Sequence, residues 1–164
     1  MSNNIETINQ YGKNYTLPPM FSRIGCRAII VANGKILLSH EVNTGVYLSP
    51  GGGLESGETP DECVIREVRE ETGYVAEIMH PFVNVNEFFY DRVFVSNYFV
   101  CKTVGEEKQS LTETEILHGV EPEWVELEKA LEIFGAYESV ADEELAAQYK
   151  REFTVLSKYK DMVK

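Results

Sequence analysis

The sequence predicts an α/β fold in which a mixed β-sheet is sandwiched between helices. Two observations lead to this prediction: strand-like hydrophobic segments occupy most of the chain, and two segments with a helical period interrupt and follow them. The resulting order is strands, helix, strands, helix. A length of 164 residues fits one domain with its own core. Residues 1–20 are interpreted as an N-terminal extension and residues 21–164 as a single domain.

A β-hairpin opens the predicted domain. Residues Ala28–Ala32 are rich in β-forming side chains, and Lys35–His40 return after Asn33-Gly34. An Asn-Gly pair is typical of a two-residue hairpin turn because both positions tolerate a positive φ. Tyr47-Leu48 is predicted to be a short strand that leads into a glycine-rich loop, 51–53.

A helix is predicted over residues 60–72 because both of its ends carry capping signals. Thr59 is a good N-cap, Pro60 suits the first helical position, and Glu62 completes a capping box with Thr59. Gly73 provides a C-terminal stop.

The second half of the chain is predicted to add strands and two helices. The predicted strands are Val75–Met79, two strands in 85–102 that join near Asp91-Arg92, and 123–127. A long polar loop is predicted over 105–119. The predicted helices are Glu128–Phe134 and Asp142–Lys158. This order supplies helices for both faces of a sheet.

The charge balance restricts the class of partner. The chain has 15 basic and 27 acidic residues, for a formal net charge of −12. This excess of acid argues against a nucleic-acid polymer as partner, because phosphate backbones require a basic surface. A small phosphorylated ligand stays compatible, since a bound divalent cation can mediate that contact.

Cysteine usage and hydropathy indicate a cytoplasmic location. Cys26, Cys63 and Cys101 are odd in number and widely spaced, which is typical of free thiols in a reducing compartment. No apolar run approaches the ~18 residues needed to cross a bilayer, so no membrane partner is expected. Residues 1–10 are polar and do not resemble a signal peptide.

The predicted helix 60–72 carries an unusual group of glutamates. At about 100° per residue, Val64, Val68 and Ile65 form an apolar arc. Three carboxylates share an arc of about 100° beside it: Glu67, Glu70 and Glu71. Like charges spaced three or four residues apart repel one another. The close placement of these carboxylates on one helix therefore requires a physical explanation.

Two interpretations fit this arrangement. In the first, the glutamates form a solvated acidic face with Arg66 and Arg69 as counter-ions. In the second, they hold a hard divalent cation such as Mg²⁺, which takes carboxylates together with phosphates and waters. Their position beside the apolar arc and behind a glycine loop favours the second interpretation.

The spacing of these residues matches a known motif. From Gly52 the chain reads five residues, Glu58, seven residues, and then Arg66 to Tyr74 as "REVREETGY". This resembles the Nudix box, G-x5-E-x7-R-E-U-x-E-E-x-G-U, where U is a bulky apolar residue. Every fixed position is matched, and the one soft departure is Tyr74, which is aromatic where an aliphatic residue is usual.

The resemblance implies a fold, a cofactor and a set of site residues. It implies a Nudix-type α/β/α sandwich with a mixed sheet, and a single Nudix hydrolase domain over residues 21–164. The implied cofactor is Mg²⁺ or Mn²⁺. Its implied ligands are the carboxylates of Glu67, Glu70 and Glu71 and the backbone carbonyl of Gly52. Glu58 and Arg66 are implied to brace the loop and orient the glutamates.

The implied activity is hydrolysis of a diphosphate linkage in a nucleoside diphosphate derivative, by attack of water on phosphorus. The substrate would be a nucleoside triphosphate, a dinucleoside polyphosphate or a similar nucleotide. The implied general base is Glu70 or Glu71, or a carboxylate from a later loop, where "LTETEIL" offers Glu113 and, preferentially, Glu115. Family members are often dimers, so a homodimer is among the expected partners.

Substrate choice is expected to lie outside the box. Arg27, in the hairpin segment, and Tyr90 are the candidate substrate-binding residues. Tyr90 lies 16 residues after Tyr74, about where family members that act on dinucleoside polyphosphates often carry a tyrosine. A proline expected there in ADP-ribose hydrolases is missing, which disfavours that substrate.

Two other functions are compatible with the fold that the resemblance implies. The first is a non-catalytic Nudix-fold module that binds or senses a nucleotide. Such modules usually lose box glutamates, whereas this chain keeps all of them. The second is a diphosphate isomerase, which would need further metal ligands that the scattered histidines do not suggest.

Overall fold

The structure, a computed structural model, describes residues 4–164. Its strands are β1 Glu6–Tyr11, β2 Phe21–Ala32, β3 Lys35–Glu41, β4 Val46–Leu48, β5 Gly51–Gly53, β6 Tyr74–Phe88, β7 Arg92–Glu106 and β8 Val120–Glu126. Its helices are α1 Pro60–Thr72, α2 Glu113–His118, α3 Leu127–Gly135 and α4 Glu143–Met162, with a 3-10 turn at Tyr137–Ser139.

The strands form one mixed sheet, as predicted. The order is β1-β6-β7-β2-β3-β4, with β5 paired to β2 and β8 paired to β3. The pairs β1–β6 and β2–β7 are parallel, whereas the other pairs are antiparallel.

Helices cover both faces of this sheet, which confirms the predicted α/β fold. On one face, Val64 and Val68 of α1 pack with Ala28 and Ile30 of β2. On the other face, Ile29 of β2 packs in a larger cluster that includes α3 and α4. Successive residues of β2 therefore serve opposite cores, because side chains alternate across a strand.

The predicted hairpin is confirmed. Strands β2 and β3 pair antiparallel through Val31–Ile36 and Ala32–Lys35. Asn33 and Gly34 have φ values of 52° and 77°, as a two-residue hairpin turn with two positive φ angles requires.

Residues 6–11 of the predicted N-terminal extension form β1, which pairs parallel with β6. The extension therefore packs on the body of the protein, and Lys158 of α4 forms an ion pair with Glu6. Residues 1–3 lie outside the described residues. The division into an extension and a domain at residue 21 stays a prediction.

Three predicted segments differ in the structure. The strand predicted to end at Met79 continues to Phe88, because β-bulges absorb register shifts and keep β6 paired with β7. The loop predicted over 105–119 contains α2, whose N-cap Thr112 forms a capping box with Glu115. The glycine stretch forms β5, because glycines without Cβ atoms approach β2 closely.

Within residues 4–164, no helix is long and apolar enough to span a membrane. The longest helix, α4, carries charged residues along its length.

Candidate active site

Helix α1 begins and ends where the sequence predicts. The Thr59 hydroxyl accepts a hydrogen bond from the Glu62 amide at 3.2 Å, and the Glu62 carboxylate accepts one from the Thr59 amide at 3.2 Å. Gly73 has a φ of 78° at the C-cap. These contacts hold the glutamate-bearing face of α1 at the edge of the sheet.

The buried face of α1 is rotated towards the glutamates relative to the prediction. Val64 and Val68 are buried, and so is Glu71, which is 9% exposed. Ile65 belongs to the apolar arc of the helical projection, but it is 36% exposed. Its expected place in the buried face is therefore wrong. The reason is that the core contacts centre on Val64 and Glu71, which leaves Ile65 at the margin of the interface.

Strand β5 brings backbone atoms against this face of the helix. A Cβ atom on Gly51 would lie 2.1 Å from the carbonyl oxygen of Cys26 on β2. A Cβ atom on Gly52 would lie 2.6 Å from the Glu67 carboxylate. Close packing against the β2 backbone therefore requires glycine at position 51, and the Glu67 carboxylate fills the space where a side chain would project from residue 52.

The Arg66 guanidinium connects the carboxylates of the site. It donates two hydrogen bonds to Glu58, from Nε at 2.6 Å and from Nη2 at 3.1 Å. Its Nη1 donates to Glu67 at 2.8 Å and to Glu70 at 3.1 Å. Its Nη2 also donates to the Gly53 carbonyl at 3.0 Å. Arg66 thus ties Glu58, the glycine strand and two glutamates of the helix together.

These contacts alter the protonation of the carboxyl groups. The hydrogen bonds from Arg66 lower the pKa of Glu58 to about 2. Burial raises the pKa of Glu67 above its ordinary value. Glu58 is therefore a permanent anion that holds Arg66, while Glu67 lies where burial disfavours its charge.

Glu71 has the most buried carboxyl group of the three glutamates predicted to hold metal. Its Oε2 accepts a hydrogen bond from the Gly51 amide at 3.0 Å. Its backbone carbonyl accepts one from Gln109 Nε2 at 2.6 Å, which anchors the segment before α2. Burial raises the pKa of Glu71 to about 7. A positive charge beside this carboxyl group would favour its ionised form.

The donor set suits a hard divalent cation in residue type, but its carboxylates are not gathered around one point. Glu67 lies against Gly52, and Glu67 and Glu70 face the same cationic atom, Arg66 Nη1. In the described part of the chain, no three Asp, Glu, His or Cys side chains converge as a preformed metal cluster. The carboxylates are instead directed to Arg66 and Gly51, and they would turn from these partners to hold a cation.

Glu115, the predicted alternative base, lies near this site. It shares a cavity of about 110 Å³ with Glu71 and His118. Its Oε1 accepts a hydrogen bond from the Thr112 amide at 2.8 Å, which completes the cap of α2. The structure therefore places Glu115 beside Glu71 while giving it a capping contact that the sequence prediction did not include.

The two predicted substrate-binding residues lie in different places. Arg27 pairs with Gly51 in the β2–β5 register, and its Nη1 donates to the Ser49 carbonyl at 2.7 Å. Tyr90 lies in the turn between β6 and β7 and is 72% exposed. It lines a separate depression with Lys13 and Asn14. The structure brings Arg27, but not Tyr90, to the glycine strand.

A buried polar network behind the glycine strand was not predicted. Glu152 of α4 accepts hydrogen bonds from the Ser49 amide at 2.9 Å and the Ser49 hydroxyl at 2.6 Å. Arg151 donates to the Tyr98 hydroxyl at 2.8 Å and to Glu87 at 2.6 Å. At about 100° per residue, Glu152 lies beside the apolar positions Tyr149 and Leu156, whereas Arg151 lies roughly opposite Tyr149, so a helical projection of the sequence would indicate Glu152 alone.

The sequence is similar to those of several known proteins. The profile of the NUDIX domain matches residues 22–147. The chain is 30% identical over 122 residues to a MutT-like protein of Streptomyces ambofaciens, which covers 73% of this chain and 75% of that protein. It is 32% identical over 93 residues to an ADP-ribose pyrophosphatase of Methanocaldococcus jannaschii. That alignment covers 48% of this chain and 55% of that protein.

A solved structure shows the same architecture. The MutT protein from Methanosarcina mazei Go1 superposes with a TM-score of 0.60 at 25% identity. The alignment covers 88% of this chain and 99% of that chain.

Proposed function

The chain belongs to the Nudix hydrolase family, and on that premise we propose that it is a metal-dependent enzyme that cleaves a diphosphate linkage in a nucleotide. The observation that carries the proposal is the placement of Glu67 against Gly52, with Glu70 on the same guanidinium and Glu71 on the Gly51 amide. Carboxylates around a glycine backbone leave room for a phosphate group to approach.

The proposed cofactor is Mg²⁺ or Mn²⁺, held by Glu67, Glu70 and Glu71 with the Gly52 carbonyl. When bound there, a divalent cation neutralises phosphate oxygens and lowers the pKa of a coordinated water. Arg66 and Glu58 keep the carboxylates in position through the hydrogen bonds already described.

The proton of the attacking water needs a carboxylate acceptor. Glu70 and Glu71 are the proposed acceptors within the box, and Glu115 is the proposed acceptor outside it. Glu115 lines the same cavity as Glu71, which supports its candidacy. Glu70 is the more solvated of the two helix residues, with 32% of its side chain exposed.

The proposed substrates are nucleoside triphosphates, dinucleoside polyphosphates and similar nucleoside diphosphate derivatives. ADP-ribose joins this set because the relative from Methanocaldococcus jannaschii is named as an ADP-ribose pyrophosphatase. Arg27 is the proposed substrate contact nearest the glycine strand. Tyr90 is proposed as a contact for a longer ligand that extends to the β6–β7 turn.

A hydrolysis screen tests the proposal. Purified protein should cleave at least one nucleotide in a panel of triphosphates, dinucleoside polyphosphates, nucleotide sugars and coenzyme A. A triphosphate would release phosphate or pyrophosphate, and each of the others would give two phosphorylated products. The cleavage should depend on Mg²⁺ or Mn²⁺ and stop with a chelator. Tight binding of a nucleotide without turnover across the panel would instead support a sensing module.

Replacing Gly52 with alanine should lower kcat/KM by about 10- to 100-fold while changing stability little. The new methyl group would displace the flexible end of Glu67, which lies 2.6 Å from the ideal Cβ position. Gly105→Ala is the matched control, because its Cβ would make only ordinary contacts, at 3.8 Å with Val75. Steady-state kinetics and thermal unfolding of both variants measure the effect, and equal activity losses would contradict the assigned role of Gly52.

A further inference from the structure

We propose that a cavity beside β5 binds a further phosphate of the substrate, so that the enzyme prefers chains of three or more phosphates to diphosphates that end in a neutral sugar. This proposal rests on the proposed function and names its substrate class. The cavity has a volume of about 260 Å³ and is lined by Arg23, Arg27, Phe94, Gln148 and Arg151 together with the backbone of the glycine strand.

The charge of this cavity is opposite to that of the protein. Three of its lining side chains are guanidinium groups, in a chain of formal net charge −12. Within residues 4–164, no aspartate or glutamate lines the cavity. Arg151 is paired with Glu87 and Glu152, so the guanidinium groups of Arg23 and Arg27 supply the charge of a site for an anion. Arginine recognises phosphate through paired hydrogen bonds.

Two of these arginines keep charge available for a ligand. In the described part of the chain, Arg23 and Arg27 have no carboxylate within 4.0 Å. Arg27 donates one hydrogen bond, from Nη1 to the Ser49 carbonyl, which leaves its other donors for a ligand. The remaining arginines of α1, β7 and α4 all contact carboxylates.

Arg151 adds an independent observation. It is 3% exposed, and its Nη2 makes no hydrogen bond among the described residues, although Glu152 Oε1 lies 3.7 Å away. Buried donors are nearly always satisfied by protein, water or ligand. Because Arg151 lines the cavity, an anion there would lie beside a buried guanidinium, whereas a neutral apolar group would bring it no acceptor.

The cavity and the glutamate site share one residue, Gly52. Gly52 lies against Glu67 on one side and lines the cavity on the other. A phosphate chain attacked at the glutamates would cross the glycine strand and place its next phosphate among the arginines. The uncharged sugar of a nucleotide sugar would bring no anion to the same position.

Binding of inorganic tripolyphosphate to the full chain in the presence of a chelator tests the cavity without turnover. Arg23→Gln should weaken binding by about 10-fold or more, because it removes one charged hydrogen-bond donor. Lys102→Gln is the matched control: it changes net charge equally, but Lys102 lies on the far part of β7 and pairs with Glu77 at 3.3 Å. Calorimetry supplies the dissociation constants, and thermal unfolding confirms that both variants fold.

Each outcome of this experiment decides the proposal. A selective loss in Arg23→Gln supports it. Absence of binding by the unaltered protein, an unchanged Arg23→Gln, or an equal loss in both variants overturns it.

Kinetics separate this inference from the proposed function. The ratio of kcat/KM for a nucleoside triphosphate to that for a nucleoside diphosphate sugar should fall in Arg23→Gln and stay constant in Lys102→Gln. Failure to hydrolyse any nucleotide in the wider panel would defeat the proposed function, while the calorimetric result would still judge the cavity. A ratio unaffected by Arg23→Gln would defeat the cavity alone.

Discussion

Replacing Glu71 with glutamine should reduce kcat by roughly 10²- to 10⁴-fold. The carboxylate is a proposed metal ligand and a candidate base, and glutamine preserves its shape while removing its negative charge. Steady-state kinetics at saturating Mg²⁺ measure the loss. Glu77→Gln is the matched control, because Glu77 lies on β6 with 59% of its side chain exposed and pairs with Lys102.

The same variant should fold at least as well as the unaltered protein. Burial raises the pKa of Glu71 from an ordinary value of 4.5 to about 7, so the folded state binds its proton more tightly than the unfolded state. In metal-free protein, this carboxyl group therefore lowers the free energy of unfolding as pH rises from 4.5 to 7. Glu71→Gln should lose that dependence and keep the acceptor for the Gly51 amide.

Thermal unfolding between pH 4 and pH 8, with a chelator present, measures this second effect. Full turnover in Glu71→Gln would refute the assignment of Glu71 to the site. A large loss of stability in the same variant would instead show that the charge of Glu71 supports the fold.

Replacing Arg151 with methionine should lower the free energy of unfolding by about 3–5 kcal/mol. Arg151 and Glu87 are 3% and 1% exposed and lie 2.6 Å apart. Removal of the guanidinium leaves Glu87 as an uncompensated buried charge and leaves the Tyr98 hydroxyl without its donor. Equilibrium unfolding in urea measures the loss.

Two further variants identify the cause of that loss. The double variant Arg151→Met, Glu87→Gln should recover part of the stability, because the second change removes the unpaired charge. Lys129→Met breaks an exposed pair with Glu132 and should cost less than about 1 kcal/mol. Similar losses in Arg151→Met and Lys129→Met would contradict a structural role for the buried pair.

Features of this protein that depend on near neighbours in the chain can be predicted from its sequence alone. The ends of α1 follow from Thr59, Glu62 and Gly73, because caps are satisfied within one helical turn. The β2–β3 turn follows from Asn33-Gly34. The Gly52-to-Tyr74 spacing identified the family, because it records residue types at fixed intervals and needs no coordinates.

Features that join distant segments of the chain become visible only in the folded protein. Arg151 and Glu87 are 64 positions apart, and Glu152 and Ser49 are 103 positions apart. The burial of Glu71, the pairing of the glycine strand with β2 and the arginine-lined cavity likewise depend on how β2, β5, β7 and α4 pack. Local periodicity indicates which side of an element is apolar. A buried charge, however, is tolerated only where another element supplies its partner, and only the packing of the two elements brings the charge and its partner together.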